Sequence, residues 1–218
     1  GFRGHFVSMP YYYKIREYND HESRDLFTYE LNFTKDELDT LVKHIWELGQ
    51  TYFDYYYFTE NCSYHMLSIL EVAKPELNLK DQLPFYVIPS DTIKALLTDP
   101  QLVKKIYFRP SLRKKFLKQF NSLTEFEKKL FKELRDKNDL KVIERSDLST
   151  QSKIKILDTM IDYIDFEYAT EILTEDKNKT EWKEKFLIAR SEIGEVSEEL
   201  KIKPLVNEFP HQIGRAHV

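Results

Sequence analysis

The feature that most constrains this chain is an aromatic run followed closely by an apolar run with helical spacing. Residues 52–58 are all aromatic except Asp54, so they predict a β-strand. From Cys62 onward, apolar residues recur at helical spacing until Pro75, which ends the element. Asn61, just before this run, is a residue type that caps helices well. The sequence therefore predicts a strand that leads into a helix, with the only cysteine of the chain in the first helical turn.

The position of Cys62 allows two interpretations. Unpaired backbone N–H groups and the helix dipole favour a thiolate in the first turn, which is the nucleophilic form of cysteine. In that case Glu60 is a candidate to orient a base, and His65, one turn after Cys62, is a candidate base. Alternatively, Cys62 lies on the apolar stripe of the helix and packs as a small buried hydrophobe. The spacing leaves both interpretations open.

A second candidate base lies near the start of the chain. His5 stands in a short glycine-containing segment, residues 1–10, which precedes the first predicted strand. If the fold brings this segment beside the helix start, His5 is available to accept the proton of the Cys62 thiol.

Several short motifs occur in order along the first half of the chain. They are Tyr18-Asn19-Asp20, the run over residues 23–31, Glu60-Asn61-Cys62-Ser63-Tyr64, Ile88-Pro89-Ser90-Asp91-Thr92 and Arg109-Pro110-Ser111. In this order and at these separations they resemble the Lnb N-terminal periplasmic domain family of bacterial envelope proteins. The resemblance covers about residues 1–112 and extends only loosely into the remainder.

The resemblance implies a fold and an activity. The Asn-Cys pair at a helix start is similar to that of circularly permuted papain-like hydrolases and of lecithin retinol acyltransferase-like enzymes. It implies an α+β, permuted papain-like (NlpC-like) domain in the periplasm or cell envelope. The catalytic histidine of those enzymes precedes the cysteine on a strand, and in this family it belongs to a Phe-Gly-His type segment that this sequence lacks. We therefore expect an N-terminally truncated domain whose base lies upstream of residue 1.

The organisation of the chain follows from a change of periodicity near Pro110. Residues 1–110 mix predicted strands and helices and form the partial papain-like α+β domain. In this part, residues 11–18 and 26–31 predict a hairpin-like strand pair. Thr34 and Glu37 then form a capping box that begins a helix, and Gly49 ends it.

The remainder of the chain has a purely helical period. Residues 111–203 predict an all-α region of four amphipathic helices, with Ser122 and Glu125 as a second capping box. Residues 204–218 form a tail. The last six of these, which include His217, resemble a translated sequencing adapter, and we interpret them as an artefact.

Composition narrows the classes of function. The formal net charge is −4, so no global basic field predicts a nucleic-acid partner. No hydrophobic run approaches the length of a membrane span. Glycine-rich phosphate loops and cysteine–histidine clusters with zinc spacing are also missing from the sequence, so it predicts no metal or cofactor.

Two functions remain. The first is a cysteine hydrolase or acyltransferase in which Cys62 attacks an amide or ester carbonyl of a cell-wall peptide, a protein or a lipid. The backbone amides at the helix start, together with Asn61, would then stabilise the oxyanion. The second is a non-catalytic binding or structural module of the envelope, in which Cys62 is a core residue.

Overall fold

The structure is a computed structural model that describes residues 2–144, 147–198 and 200–212. It mixes helices with short strands, which confirms the predicted α+β class. The described residues divide into two compact units: the first unit contains residues 2–10, 27–108 and 204–212, and the second contains residues 11–26 and the described part of 109–203. The predicted artefact at residues 213–218, including His217, lies outside the described residues.

The first unit combines two small sheets with three helices. In chain order its elements are β1 (Phe2–Gly4), β2 (Leu26–Leu31), α2 (Lys35–Leu48), β3 (Phe53–Tyr55), α3 (Cys62–Ala73), α4 (Pro89–Leu96) and β4 (Val103–Arg109). Helix α1 (Tyr11–Lys14) belongs to the second unit. Strand β1 pairs antiparallel with β3, and β2 pairs with β4. Gly4 lies opposite Phe53, and a Cβ atom at Gly4 would meet the Phe53 ring at 2.4 Å. A glycine here therefore lets that ring cover the strand.

Helix α3 forms the centre of the first core. It packs against α2 and α4 and contributes Leu67 and Leu70 to a buried cluster. The other buried members of that cluster are Leu77, Leu79, Ala95, Leu96 and Leu102. Burying apolar side chains contributes roughly 25 cal/mol per Å² to stability, so this cluster fixes the position of α3.

Helix α2 begins and ends where the sequence predicted. The Thr34 side chain accepts a hydrogen bond from the Glu37 N–H, the Glu37 carboxylate accepts one from the Thr34 N–H, and Gly49 follows the last residue. Its apolar stripe is less buried than the pattern suggested. Val42 is 64% exposed and Trp46 is 79% exposed, so only part of this face packs against α3.

The second unit is helical. Its elements are α1 (Tyr11–Lys14), which continues as a π-helix over Ile15–His21, then α5 (Leu112–Ser122), α6 (Glu125–Lys137), α7 (Thr150–Glu167), α8 (Ala169–Leu173) and α9 (Lys177–Glu192). Helix α7 packs against α5, α6 and α9. The core contains Phe131, Leu134, Met160, Ile164 and Phe186, all of them almost fully buried.

Three sequence predictions of local structure are wrong. Residues 11–18 are helical rather than a strand, and β2 pairs with β4, a strand that the sequence analysis did not predict. The strand predicted over residues 52–58 is limited to Phe53–Tyr55, because the chain then turns back on itself. Tyrosine and phenylalanine suit strands, helices and turns once packing partners are available, so aromatic content alone does not fix the local conformation.

One predicted helix cap is displaced. Helix α6 is capped by Thr124 with Glu127, two residues after the predicted pair of Ser122 and Glu125.

Within the described residues, no helix is both long enough and apolar enough to span a membrane.

Candidate active site

A tight turn carries the chain from β3 into α3. After Tyr55, the Tyr56 N–H donates to the Glu60 carbonyl at 3.2 Å, and the Thr59 N–H donates to the Tyr56 carbonyl at 3.2 Å. Asn61 follows in an extended conformation and caps the helix, which begins at Cys62 as predicted. The turn therefore delivers the cysteine at the first helical position.

Both polar atoms of the Asn61 side chain form hydrogen bonds that hold this turn and the helix start together. Its Nδ2 donates to the Tyr57 carbonyl at 3.2 Å and to the Val87 carbonyl at 2.7 Å. Its Oδ1 accepts from the Ser63 N–H at 3.1 Å and from the Tyr64 N–H at 3.4 Å. The side chain is only 6% exposed. Because both amide hydrogens are already used, Asn61 in this conformation positions the helix start and has no hydrogen left for an oxyanion.

Cys62 is exposed and therefore is not a core residue. Helix α3 buries Ser63, Leu67 and Leu70, so its buried face is rotated by one position from the stripe that would include Cys62. The interpretation of Cys62 as a buried hydrophobe is wrong for this reason. At the helix start, Asn61 Oδ1 caps two N–H groups and the Asn61 carbonyl accepts from the His65 N–H. The Cys62 N–H has no acceptor among the described residues.

His65 lies within an aromatic cluster. Its ring centroid is 3.9 Å from that of Phe53, 5.6 Å from Tyr64 and 6.5 Å from Phe6. The Nε2 atom is buried and has no hydrogen-bond partner among the described residues. The structure therefore places this imidazole against β3, and it makes no hydrogen bond to Cys62.

Neither His5 nor Glu60 makes a hydrogen bond to the Cys62 thiol. The His5 ring is exposed, with Nδ1 3.1 Å from the Thr51 carbonyl and its centroid 6.4 Å from Tyr52. The Glu60 side chain is exposed, and its backbone carbonyl closes the turn. Of the five predicted site residues, Asn61 is hydrogen-bonded to the helix start that carries Cys62. Neither His5 nor His65 makes a hydrogen bond to the thiol.

An exposed aromatic patch adjoins the helix start. It consists of Tyr57, Phe58, Phe85 and Tyr86, whose exposed fractions range from 58% to 76%. Phe58 and Tyr86 meet edge to face with centroids 5.9 Å apart, and the Val87 N–H donates to the Phe58 carbonyl at 2.9 Å. The sequence analysis missed this patch because its two halves are far apart in the chain. The signal was the Phe85-Tyr86 pair in an otherwise polar connector.

Three of the motifs quoted above meet in the second unit. Asn19 is fully buried; its Nδ2 donates to the Arg24 carbonyl at 2.8 Å and to the Pro110 carbonyl at 3.2 Å. Arg109 Nε donates to Asn19 Oδ1 at 3.2 Å. Asp25 accepts from the Ser111 N–H at 2.8 Å and from Lys114 Nζ at 2.7 Å. These residues hold the segment 11–26 to the start of α5, which is a structural role.

Comparison with known families accounts for most of the chain. Residues 1–99 match the family model of the Lnb N-terminal periplasmic domain. This part of the chain is therefore similar to that family. Residues 106–201 match a second model, a domain of unknown function, DUF7842. No curated protein and no solved structure matches the chain.

The region that matches the Lnb model runs from β1 to α4 and contains the whole strand–turn–helix junction, with Asn61, Cys62 and the aromatic patch. Within the described residues, no group of three histidine, cysteine or acidic side chains is arranged to hold a metal ion.

Proposed function

We propose that the Lnb domain is a cysteine hydrolase or acyltransferase of the periplasm or cell envelope. The observation that carries the proposal is the exposed Cys62 thiol at the first position of α3, directly after Asn61, whose side chain caps the helix. The periplasmic description of the family supports the location. Its substrate would be an amide or ester of a cell-wall peptide, a protein or a lipid. Because the chain has a formal net charge of −4, we expect no nucleic-acid partner.

The chemistry follows from the position of the thiol. The Cys62 thiolate attacks the carbonyl carbon, and the carbonyl electron pair moves to oxygen to form an oxyanion. The N–H of Cys62 has no acceptor among the described residues and is suitably placed at the helix start to donate to that oxyanion. Collapse expels an amine or alcohol and leaves a thioester on Cys62. Water then completes hydrolysis, or a second amine or alcohol completes acyl transfer.

The permuted papain-like fold is part of this proposal. The support is local: a strand, a tight turn, an Asn-Cys pair and a helix occur in that order. The described residues contain two separate two-stranded sheets, whereas a papain-like domain has a larger sheet. The fold assignment therefore rests on the junction and on the family resemblance.

The direct test is the pH dependence of Cys62 alkylation by iodoacetamide in the full chain. Cys62→Ser is the blank, because Cys62 is the only cysteine. The matched control is Met66→Cys in the Cys62→Ser background, since Met66 is exposed on the same helix one turn later. We expect Cys62 to be alkylated faster than the control cysteine at neutral pH, because the helix start favours the reactive thiolate.

The same assay tests the two histidines. If His65→Gln or His5→Gln makes the alkylation profile of Cys62 resemble that of the control thiol, the substituted ring exchanges protons with the thiol. If neither change has an effect and Cys62 reacts with iodoacetamide no faster than the control thiol, the enzyme proposal is wrong.

A second function is favoured by the aromatic patch. Four exposed aromatic rings beside the helix start can bind an apolar group of an envelope component without any covalent chemistry. An ordinary Cys62 titration, together with ligand binding lost on Phe85→Ser, would favour this binding module over the enzyme.

A further inference from the structure

A cavity of about 690 Å³ lies in the second unit, separate from the cysteine site in its lining residues. It is bordered by α5, by α7 and by the segment of residues 197–203, in which Glu199 is not described. Cavities of roughly 300–1,000 Å³ are the usual size for small-molecule sites. The cavity is therefore large enough for a compact ligand.

One wall of the cavity is held in place by an ion-pair network. Arg190 Nε donates to Asp158 Oδ1 at 2.9 Å, and Arg190 Nη2 donates to Ser197 Oγ at 2.7 Å and to the Glu195 carbonyl at 2.8 Å. Ser197 Oγ donates to the second oxygen of Asp158. Both charged side chains are less than one-fifth exposed. This network joins the segment after α9 to α7, and it occupies both oxygens of Asp158.

Asp162 lies one turn after Asp158 on α7 and takes no part in this network. Its neighbours on the helix are paired, Asp158 with Arg190 and Asp165 with Lys183 at 2.6 Å. The half-buried carboxyl of Asp162 has neither a hydrogen bond nor an ion pair with any described residue, and it lines the cavity. Burial raises its pKa to about 6 against the opposing effect of Lys115. Acids that are buried without a partner in a cleft are frequent at binding sites.

Three lysines line the same cavity. Lys115 comes from α5, and Lys201 and Lys203 come from the segment after α9. None of them forms an ion pair with a described residue. Glu198 adds an exposed carboxylate to the lining, and Ile161, Leu200 and Ile202 contribute apolar side chains. An anion alone would be repelled by ionised Asp162, and a cation alone would be repelled by the lysines, so a ligand that carries both charges fits best.

We propose that this cavity binds a small zwitterion of the amino acid or short-peptide type, with its carboxylate toward Lys115, Lys201 and Lys203 and its ammonium group on Asp162. The apolar wall then contacts the ligand's aliphatic part. The volume exceeds that of a single small amino acid and suits a peptide of two or three residues. This site is independent of Cys62 and does not rest on the function proposed above.

The test is calorimetric titration of the full chain with alanyl-alanine. Two analogues separate the charges: N-acetyl-alanyl-alanine lacks the ammonium group, and alanyl-alanine amide lacks the carboxylate. Free alanine distinguishes an amino acid site from a peptide site. We expect the dipeptide to bind and each analogue to bind at least about tenfold more weakly, because each loses one charge-assisted contact.

Matched variants locate the binding. We expect Asp162→Asn and Lys115→Gln each to weaken dipeptide binding by about tenfold or more. Lys118→Gln, on an exposed part of the same helix, should have no effect. Circular dichroism of each variant confirms that it is folded. The proposal is overturned if neither the dipeptide nor alanine binds, if the acetylated analogue binds equally well, or if both cavity variants of confirmed fold bind like the original chain.

Discussion

Asn61 is the residue whose side chain does most to define the cysteine site. It accepts two hydrogen bonds from the start of α3 and donates two to carbonyls of the turn and of the connector before α4. A helix cap needs only the acceptor oxygen, so serine or aspartate would serve equally well for capping alone. The two donated bonds explain why an amide is required at this position.

We expect Asn61→Ala to lower the free energy of unfolding by about 2–3 kcal/mol, because the cap is lost and buried carbonyl groups lose their donors. Asn61→Asp keeps the acceptor but directs a carboxylate at the Tyr57 and Val87 carbonyls, so it should not restore stability. Cys62→Ala, at the exposed neighbouring position, should change stability by less than about 0.5 kcal/mol. Urea unfolding measures all three. Full stability of Asn61→Asp would show that capping alone matters.

At the scale of elements, a polar junction holds the first helical segment to α5. Asp25 is its charged member: it bonds the first turn of α5 through the Ser111 N–H and pairs with Lys114. Burial raises the pKa of the Asp25 carboxyl, but hydrogen bonds from Lys114 and from Ser111 outweigh it and lower the pKa. The ionised form therefore stabilises the folded chain.

We expect Asp25→Ala to reduce the free energy of unfolding by about 1–3 kcal/mol at neutral pH. Because the folded-state pKa is depressed, this contribution is present above the unfolded-state pKa of about 3.9 and is lost as the pH falls through the folded-state pKa. Glu22→Ala removes a more exposed pair with Arg24 and should cost less than about 0.5 kcal/mol. Chemical unfolding at pH 7 and pH 3 compares the variants. Equal losses for both at pH 7 would contradict this role of Asp25.

At the scale of the whole molecule, the unpaired acid on α7 affects the stability of the chain. The folded-state pKa of Asp162 is raised to about 6, chiefly by burial, with Asp158 and Asp165 adding to the shift and Lys115 and Lys183 opposing it. The folded state therefore binds a proton more tightly than the unfolded state does. The contribution of Asp162 to stability must fall as the pH rises from about 4 to about 6.

We expect Asp162→Asn to remove this loss and to be more stable than the original chain at pH 7 by about 1–3 kcal/mol, the upper limit being the full shift in pKa. Near pH 4 the two should be similar. Asp165→Asn breaks the pair with Lys183 and should be destabilising, the opposite sign on the same helix. Thermal unfolding between pH 4 and pH 7.5 measures the differences. A pH-independent difference for Asp162→Asn would contradict the assignment.

Short-range patterns were the most predictable part of this chain. The helix that begins at Cys62 and the capping box of Thr34 with Glu37 were correctly predicted, because a cap is decided by residues within one turn of each other. The displaced cap of α6 shows the limit of such patterns. Ser122 and Glu125 have the same spacing as Thr124 and Glu127, but Ser122 is the last residue of α5, so the next helix begins after Thr124.

The sequence by itself determined the α+β class, the family of the first 99 residues and the position of Cys62 at a helix start, since each depends on neighbouring residues or on motifs in order. The tertiary structure decided whether Cys62 is exposed, because helical spacing does not fix which face of α3 packs against α2 and α4. It also decided the pairing of β2 with β4, the contacts of Asn19 with Arg109 and Pro110, and the partial burial of Asp162 without a partner among the described residues. These features join residues far apart in the chain, and local sequence does not encode which distant groups will meet.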